Sequence, residues 1–71
     1  HLYLNGIPAS DFSFIKNFRY LTRLSLKDTS FSDISVLEKL SNLKKLELSG
    51  TKVTKKDIRI LKKKLPECRI E

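Results

Sequence analysis

The sequence predicts a small α/β domain built as a short solenoid, in which parallel β-strands alternate with return segments. Three observations support this fold class. Leucine pairs with one residue between them recur every 22 residues. Apolar residues occupy every third position of the first two return segments, and the last return segment has helical spacing. A fixed period of roughly 20 to 50 residues is typical of solenoids.

Each pair predicts one β-strand with a single buried face, because apolar and polar residues alternate along it. The leucine pairs are Leu2-x-Leu4, Leu24-x-Leu26 and Leu46-x-Leu48. In the fourth pair, Cys68-x-Ile70, two other apolar residues replace the leucines. All strands run the same way, since a return segment follows each of the first three. We therefore expect a four-stranded parallel sheet whose neighbouring strands lie about 4.8 Å apart.

The return segments predict two kinds of structure. Apolar spacing of three in residues 12–21 and 34–43 favours 3₁₀ or irregular turns. In the third segment, spacing of three and four predicts an α-helix from about Lys55 to Lys64. Thr54 and Asp57 resemble a capping box at its start, with Asp in place of Glu.

The predicted core combines the inward residues of the strands with the apolar residues of the return segments. It contains Leu2, Leu4, Phe12, Ile15, Phe18, Leu21, Leu24, Leu26, Phe31, Ile34, Leu37, Leu40, Leu43, Leu46, Leu48, Val53, Ile58, Leu61, Leu65, Cys68 and Ile70. This core runs through the whole chain, so residues 1–71 form a single array of about three repeats plus a closing strand. Since its first residues already follow the strand pattern, we expect the chain to be a fragment of a longer protein.

The repeats resemble the leucine-rich repeat family. The family pattern L-x-x-L-x-L-x-x-N-x-L/I is followed from Leu21 to Phe31 and again from Leu43 to Val53, apart from its Asn. The 22-residue length and residues 32–43 are most similar to the bacterial internalin-type subclass. The resemblance covers the whole chain. It implies that the sheet lies on a concave face, with the 3₁₀ or irregular segments and the C-terminal α-helix on the convex side.

One position departs from the family pattern. The family's Asn, whose side chain bonds the backbone of neighbouring turns, is replaced by Ile7, Thr29 and Thr51. We therefore expect no continuous asparagine ladder. The turn amides are expected to bond to water or to their neighbours, because buried backbone groups require partners.

The sequence offers little that could support catalysis. His1 is the only histidine, and the two glycines lie in separate turns, so neither a catalytic triad nor a phosphate loop is predicted. Asp11 and Asp33 lie one repeat apart, and we interpret each as a cap of the return segment that follows it. The single cysteine, Cys68, is interpreted as a small buried hydrophobic residue. We predict no enzyme activity, no cofactor and no metal site.

The resemblance implies that the chain is a protein–protein interaction module, because the concave sheet face is the usual binding surface of the family. Residues beside the leucines point away from the core. The expected contact residues are Tyr3, Arg23, Ser25, Lys27, Lys45, Glu47 and Arg69. The 22-residue period aligns the outward residues in three rows, namely His1, Arg23, Lys45, Glu67; Tyr3, Ser25, Glu47, Arg69; and Asn5, Lys27, Ser49, Glu71. Alternatively, these are ordinary solvated strand positions.

The net charge of +7 suggests a second hypothesis, binding of a polyanion such as nucleic acid or an anionic surface. Much of this charge lies on the predicted C-terminal helix, at Lys55, Lys56, Arg59, Lys62, Lys63 and Lys64. Two observations weigh against polyanion binding. No aromatic residue is interleaved with these basic residues for base stacking, and a lysine-rich outer face also keeps a domain soluble. A third interpretation is a purely structural spacer or cap.

Membrane insertion is not expected, because no segment approaches the roughly 18 apolar residues of a membrane span. The cellular compartment stays open. A protein of the internalin type would be secreted or displayed at the cell surface, whereas other short-repeat relatives are cytoplasmic.

Overall fold

Four short parallel strands form one sheet in the computed structural model, which describes residues 1–71. The strands are β1 (Leu2–Tyr3), β2 (Arg23–Ser25), β3 (Lys45–Glu47) and β4 (Arg69–Ile70). They lie side by side in chain order, and every neighbouring pair is parallel. The predicted four-stranded parallel sheet is therefore confirmed.

The return segments have the two predicted kinds of structure. The first two contain 3₁₀ helices, Ser13–Asn17 and Ile34–Leu37, and the third is the α-helix α1, Lys55–Lys64. The capping box of α1 is complete. The Thr54 hydroxyl accepts from the amide of Asp57 at 3.1 Å, and the Asp57 carboxylate accepts from the amide of Thr54 at 3.2 Å. The Thr54 hydroxyl thus satisfies the Asp57 amide, because the amides of the first helical turn have no intrahelical acceptor.

The core lies between the sheet and the return segments, and all thirteen of its buried apolar residues were predicted. Seven further predicted residues are partly buried against it, namely Leu2, Leu4, Leu21, Val53, Ile58, Cys68 and Ile70. The prediction is wrong for Phe18, which is 46% exposed, whereas Leu40 at the same position of the second repeat is 0% exposed. Leu40 lies between the first and third repeats. Phe18 lies at the end of its return segment, whereas Phe12 and Ile15 earlier in the same segment are buried.

The predicted register of β4 is also wrong. Leu46 pairs with Ile70 and Lys45 with Arg69, so this step is 24 residues long instead of 22. An α-helix rises about 1.5 Å per residue and a 3₁₀ helix about 2.0 Å. The α-helical return segment therefore needs more residues to cover the same distance. Because the shift is two residues, the alternation is kept, and Ile70 still faces the core.

Threonine side chains close the turns after β2 and β3. The Thr29 hydroxyl donates to the carbonyl of Leu26 at 2.7 Å and accepts from the amide of Phe31 at 3.3 Å. Thr51 makes the equivalent bonds, donating at 2.6 Å and accepting at 3.3 Å. Our expectation that water or other neighbours would satisfy these turn amides is wrong at these two positions. Each threonine hydroxyl thus satisfies one carbonyl and one amide within its own turn.

Each of the turns after β1, β2 and β3 places one residue in the left-handed backbone region. Its φ angle is 71° at Gly6, 58° at Asp28 and 76° at Gly50. Glycine adopts this conformation without steric cost, and aspartate is one of the few other residues that tolerate it. Gly50 has a second reason to lack a side chain, because a Cβ there would meet the side chain and backbone of Asp28.

We expect Gly50→Ala to destabilise the domain more than Gly6→Ala. Both substitutions place alanine in the left-handed region, at a cost of about 1 to 2 kcal/mol. Only the first adds a steric conflict, since nothing lies within 4 Å of a Cβ at Gly6. Urea unfolding of the two variants measures the difference, and equal losses would contradict the packing at Gly50.

Thr29→Val is expected to lower the free energy of unfolding by about 1 to 3 kcal/mol, because valine leaves a buried amide and carbonyl without their hydroxyl partner. Thr29→Ser is the control, since it keeps the hydroxyl, and we expect it to lose less. Urea titrations again provide the measurement. A valine variant as stable as the parent would show that the hydroxyl is dispensable.

Candidate functional site

The outward face of the sheet brings together six of the seven predicted contact residues. Tyr3 is 55% exposed, and Arg23 and Arg69 are also exposed. Lys27, Lys45 and Glu47 are partly buried but reach the surface. The backbone beneath them is fixed by the parallel hydrogen-bond ladder. These side chains therefore start from defined positions, which lowers the entropic cost of binding.

The seventh predicted residue, Ser25, is 1% exposed, so the expectation that it contacts a partner is wrong. Its hydroxyl donates to the side-chain oxygen of Asn5. Tyr3 and Glu47 flank it in register on the neighbouring strands, and both have longer side chains. Ser25 is thus too small to reach the surface and instead anchors Asn5.

The corrected register of β4 changes the rows across the face. Arg23, Lys45 and Arg69 occupy matching positions on three adjacent strands. Arg69 therefore belongs to the row of Arg23, not to that of Glu47 as the sequence period predicts. Glu71 takes its place beside Glu47, because the Glu71 amide donates to Leu46 at 2.8 Å and its carbonyl accepts from Leu48 at 2.7 Å.

The face therefore carries a cationic row, Arg23, Lys45 and Arg69, which sequence analysis missed because it depends on the register. Like charges opposite each other on adjacent strands are unfavourable. Two of the cations have a nearby carboxylate. Lys45 Nζ lies 4.0 Å from Glu47, and Arg69 Nε lies 3.3 Å from Glu71. Arg23 makes no ion pair, so the row retains uncompensated positive charge.

Glu47 lies between two lysines at the centre of the face. Its second oxygen is 3.7 Å from Lys27 Nζ, in addition to the contact with Lys45. Pairs at this separation on a solvated surface contribute only about 0 to 1 kcal/mol. These weak contacts orient the side chains of Lys27 and Lys45, and both lysines stay available to bind the carboxylates of a partner.

The two aspartates one repeat apart border a groove of about 180 Å³ between the first two return segments. Each carboxylate accepts from the amide of the serine two residues later, at 2.9 Å for Asp11 and 3.1 Å for Asp33. The amide of Ser13 chiefly lowers the pKa of Asp11, and the hydroxyl of Ser35 chiefly lowers that of Asp33. Both groups are thus ionised near neutral pH. Asp33 is the N-cap of the second 3₁₀ helix, as predicted, whereas the N-cap of the first is Phe12, and Asp11 accepts from the amide of its first residue, Ser13.

The remaining chemistry-bearing residue is Cys68, which is partly buried against the core. Burial raises the pKa of its thiol, so the nucleophilic thiolate is scarce near neutral pH. No group of three or more His, Cys, Asp or Glu residues is placed to hold a metal ion. None of the helices has the length and apolarity needed to cross a membrane.

We compared the chain with known proteins at three levels. No protein-family model, no curated protein and no solved structure matches it. The outward residues of the sheet, their register and their charges are therefore the features that indicate a function for this chain.

Proposed function

We propose that this chain is a leucine-rich repeat module that binds an acidic protein surface through the outward face of its sheet. The repeat period and the leucines at matching positions of β2 and β3 support membership of that family. Within the family, the 22-residue length favours the bacterial internalin-type subclass.

The cationic row carries this proposal. Three cations on adjacent strands about 4.8 Å apart repel one another in the free domain. A partner with carboxylates at the same spacing would relieve that repulsion. Arginine in particular can bind a carboxylate through two parallel hydrogen bonds, and Arg23 has no competing ion pair within the domain.

Tyr3 supplies the apolar contact beside this row. It lies on β1, pairs in register with Ser25 and exposes about half of its surface. Tyrosine side chains are enriched among the residues that dominate binding energy, because they bury a large area and keep a hydroxyl for hydrogen bonding. An aromatic anchor with a cationic row suits a partner whose acidic residues surround an apolar pocket.

The test compares the parent domain with the double variant Arg23→Glu and Lys45→Glu. Proteins captured from nuclease-treated lysate are identified and purified, and their affinities for each version are then measured. We expect the double variant to weaken binding at least tenfold, or about 1.4 kcal/mol, because it repels the carboxylates that the parent attracts.

The matched control is Lys16→Glu with Lys39→Glu, which makes the same change in net charge at exposed positions outside the sheet face. It should bind the partner within about threefold of the parent. Equal weakening by both double variants would contradict a specific sheet-face site. Thermal melts of both variants establish that each remains folded.

A further inference from the structure

The exposed side of α1 carries positive charge that nothing in the domain neutralises. Six of its ten residues are basic, and all six are exposed. Only Lys64 forms an ion pair, with its Nζ 3.7 Å from Glu38. Asp57, the one acidic residue of the helix, is used in the capping box. Five cations are therefore left without a counter-charge from the protein.

These five cations share one broad side of the helix. At about 100° per residue they fall within an arc of about 120°, and they extend about 12 Å along the axis. They are Lys55, Lys56, Arg59, Lys62 and Lys63. The apolar residues Ile58, Leu61 and Leu65 lie beside this arc and pack against the core. Packing thus fixes the rotation of α1 and directs the cationic arc outward.

We propose that α1 binds the phosphate backbone of double-stranded B-form DNA by lying in the major groove. This groove is about 12 Å wide and admits an α-helix. Cations spread over a wide arc can reach phosphates on both walls of a groove. A flat anionic membrane would contact only those side chains that point toward it. The deep, narrow major groove of A-form RNA does not admit the helix.

The residue types in the arc also determine which parts of a DNA duplex or a lipid surface α1 can contact. It contains no aromatic residue for stacking on bases and no Asn or Gln for reading adenine edges. It also has no apolar side chain for insertion into lipid, since Ile60 lies outside the arc and is partly buried. We therefore expect phosphate contacts to supply most of the affinity, with any base preference limited to contacts of the arginine and lysines with guanine. This surface uses none of the sheet-face residues and is independent of the function proposed above.

The expected binding is strongly salt-dependent. Five phosphate contacts predict a slope of about −4.5 for log K against log salt, which is about a 500-fold loss of affinity between 50 and 200 mM. The test is fluorescence anisotropy of a short labelled DNA duplex with the parent and with the triple variant Lys55→Gln, Arg59→Gln and Lys62→Gln. Glutamine maintains helix propensity while it removes the charge.

The triple variant should reduce the slope to about −1.8, because two of the five contacts remain. The matched control is Lys16→Gln, Arg19→Gln and Lys39→Gln, which removes two lysines and one arginine at exposed positions outside α1. We expect the control to keep the parent's slope to within about one unit. Circular dichroism verifies that both variants retain the helix.

Three results would overturn the proposal. One is an equal reduction of the slope by both triple variants, which would mean that only net charge matters. Another is the absence of DNA binding by the parent at the lower salt concentration. The third is tighter binding of the parent to an RNA duplex, or to vesicles of phosphatidylserine and phosphatidylcholine, than to the DNA duplex.

Discussion

The inward residues of each strand are buried jointly by the return segments and by the repeats beside them, and the rest of the structure depends on this stacking. No strand is longer than three residues, so none could hold its conformation alone. Adjacent repeats also meet through their return segments, where the rings of Phe12 and Phe31 pack edge to face at 5.5 Å. Stacking in register aligns the strands, the turns and the outward side chains together.

Elements that follow from a local pattern were predictable from the sequence, whereas features that depend on neighbouring residues or on cumulative geometry were not. The repeat period predicted the parallel sheet, and the spacing of apolar residues distinguished the 3₁₀ segments from α1. The register of β4 was missed because it depends on how far α1 advances per residue. The exposure of Phe18 was missed because the apolar spacing of three does not distinguish it from Ile15 of the same segment, which is 0% exposed.

The candidate site was only partly predictable for the same reasons. The alternation of inward and outward residues identified the sheet face, and six of its seven predicted residues reach the surface. The burial of Ser25 follows from the longer side chains beside it, which the alternation does not encode. The cationic row became visible only with the true pairing of Lys45 and Arg69. Together with the unpaired cations of α1, this row gives the domain two separate positively charged surfaces.

Native-state hydrogen exchange in increasing urea tests most directly whether stacking makes the three repeats one cooperative unit. The amides of Leu4, Leu26 and Leu65 report on the first, second and third repeats, since they donate to Ser25 at 2.8 Å, Glu47 at 3.0 Å and Leu61 at 2.7 Å. If stacking holds the structure together, the three amides exchange with one free energy and one urea dependence. Separate values, with α1 or one strand opening alone, would contradict this account.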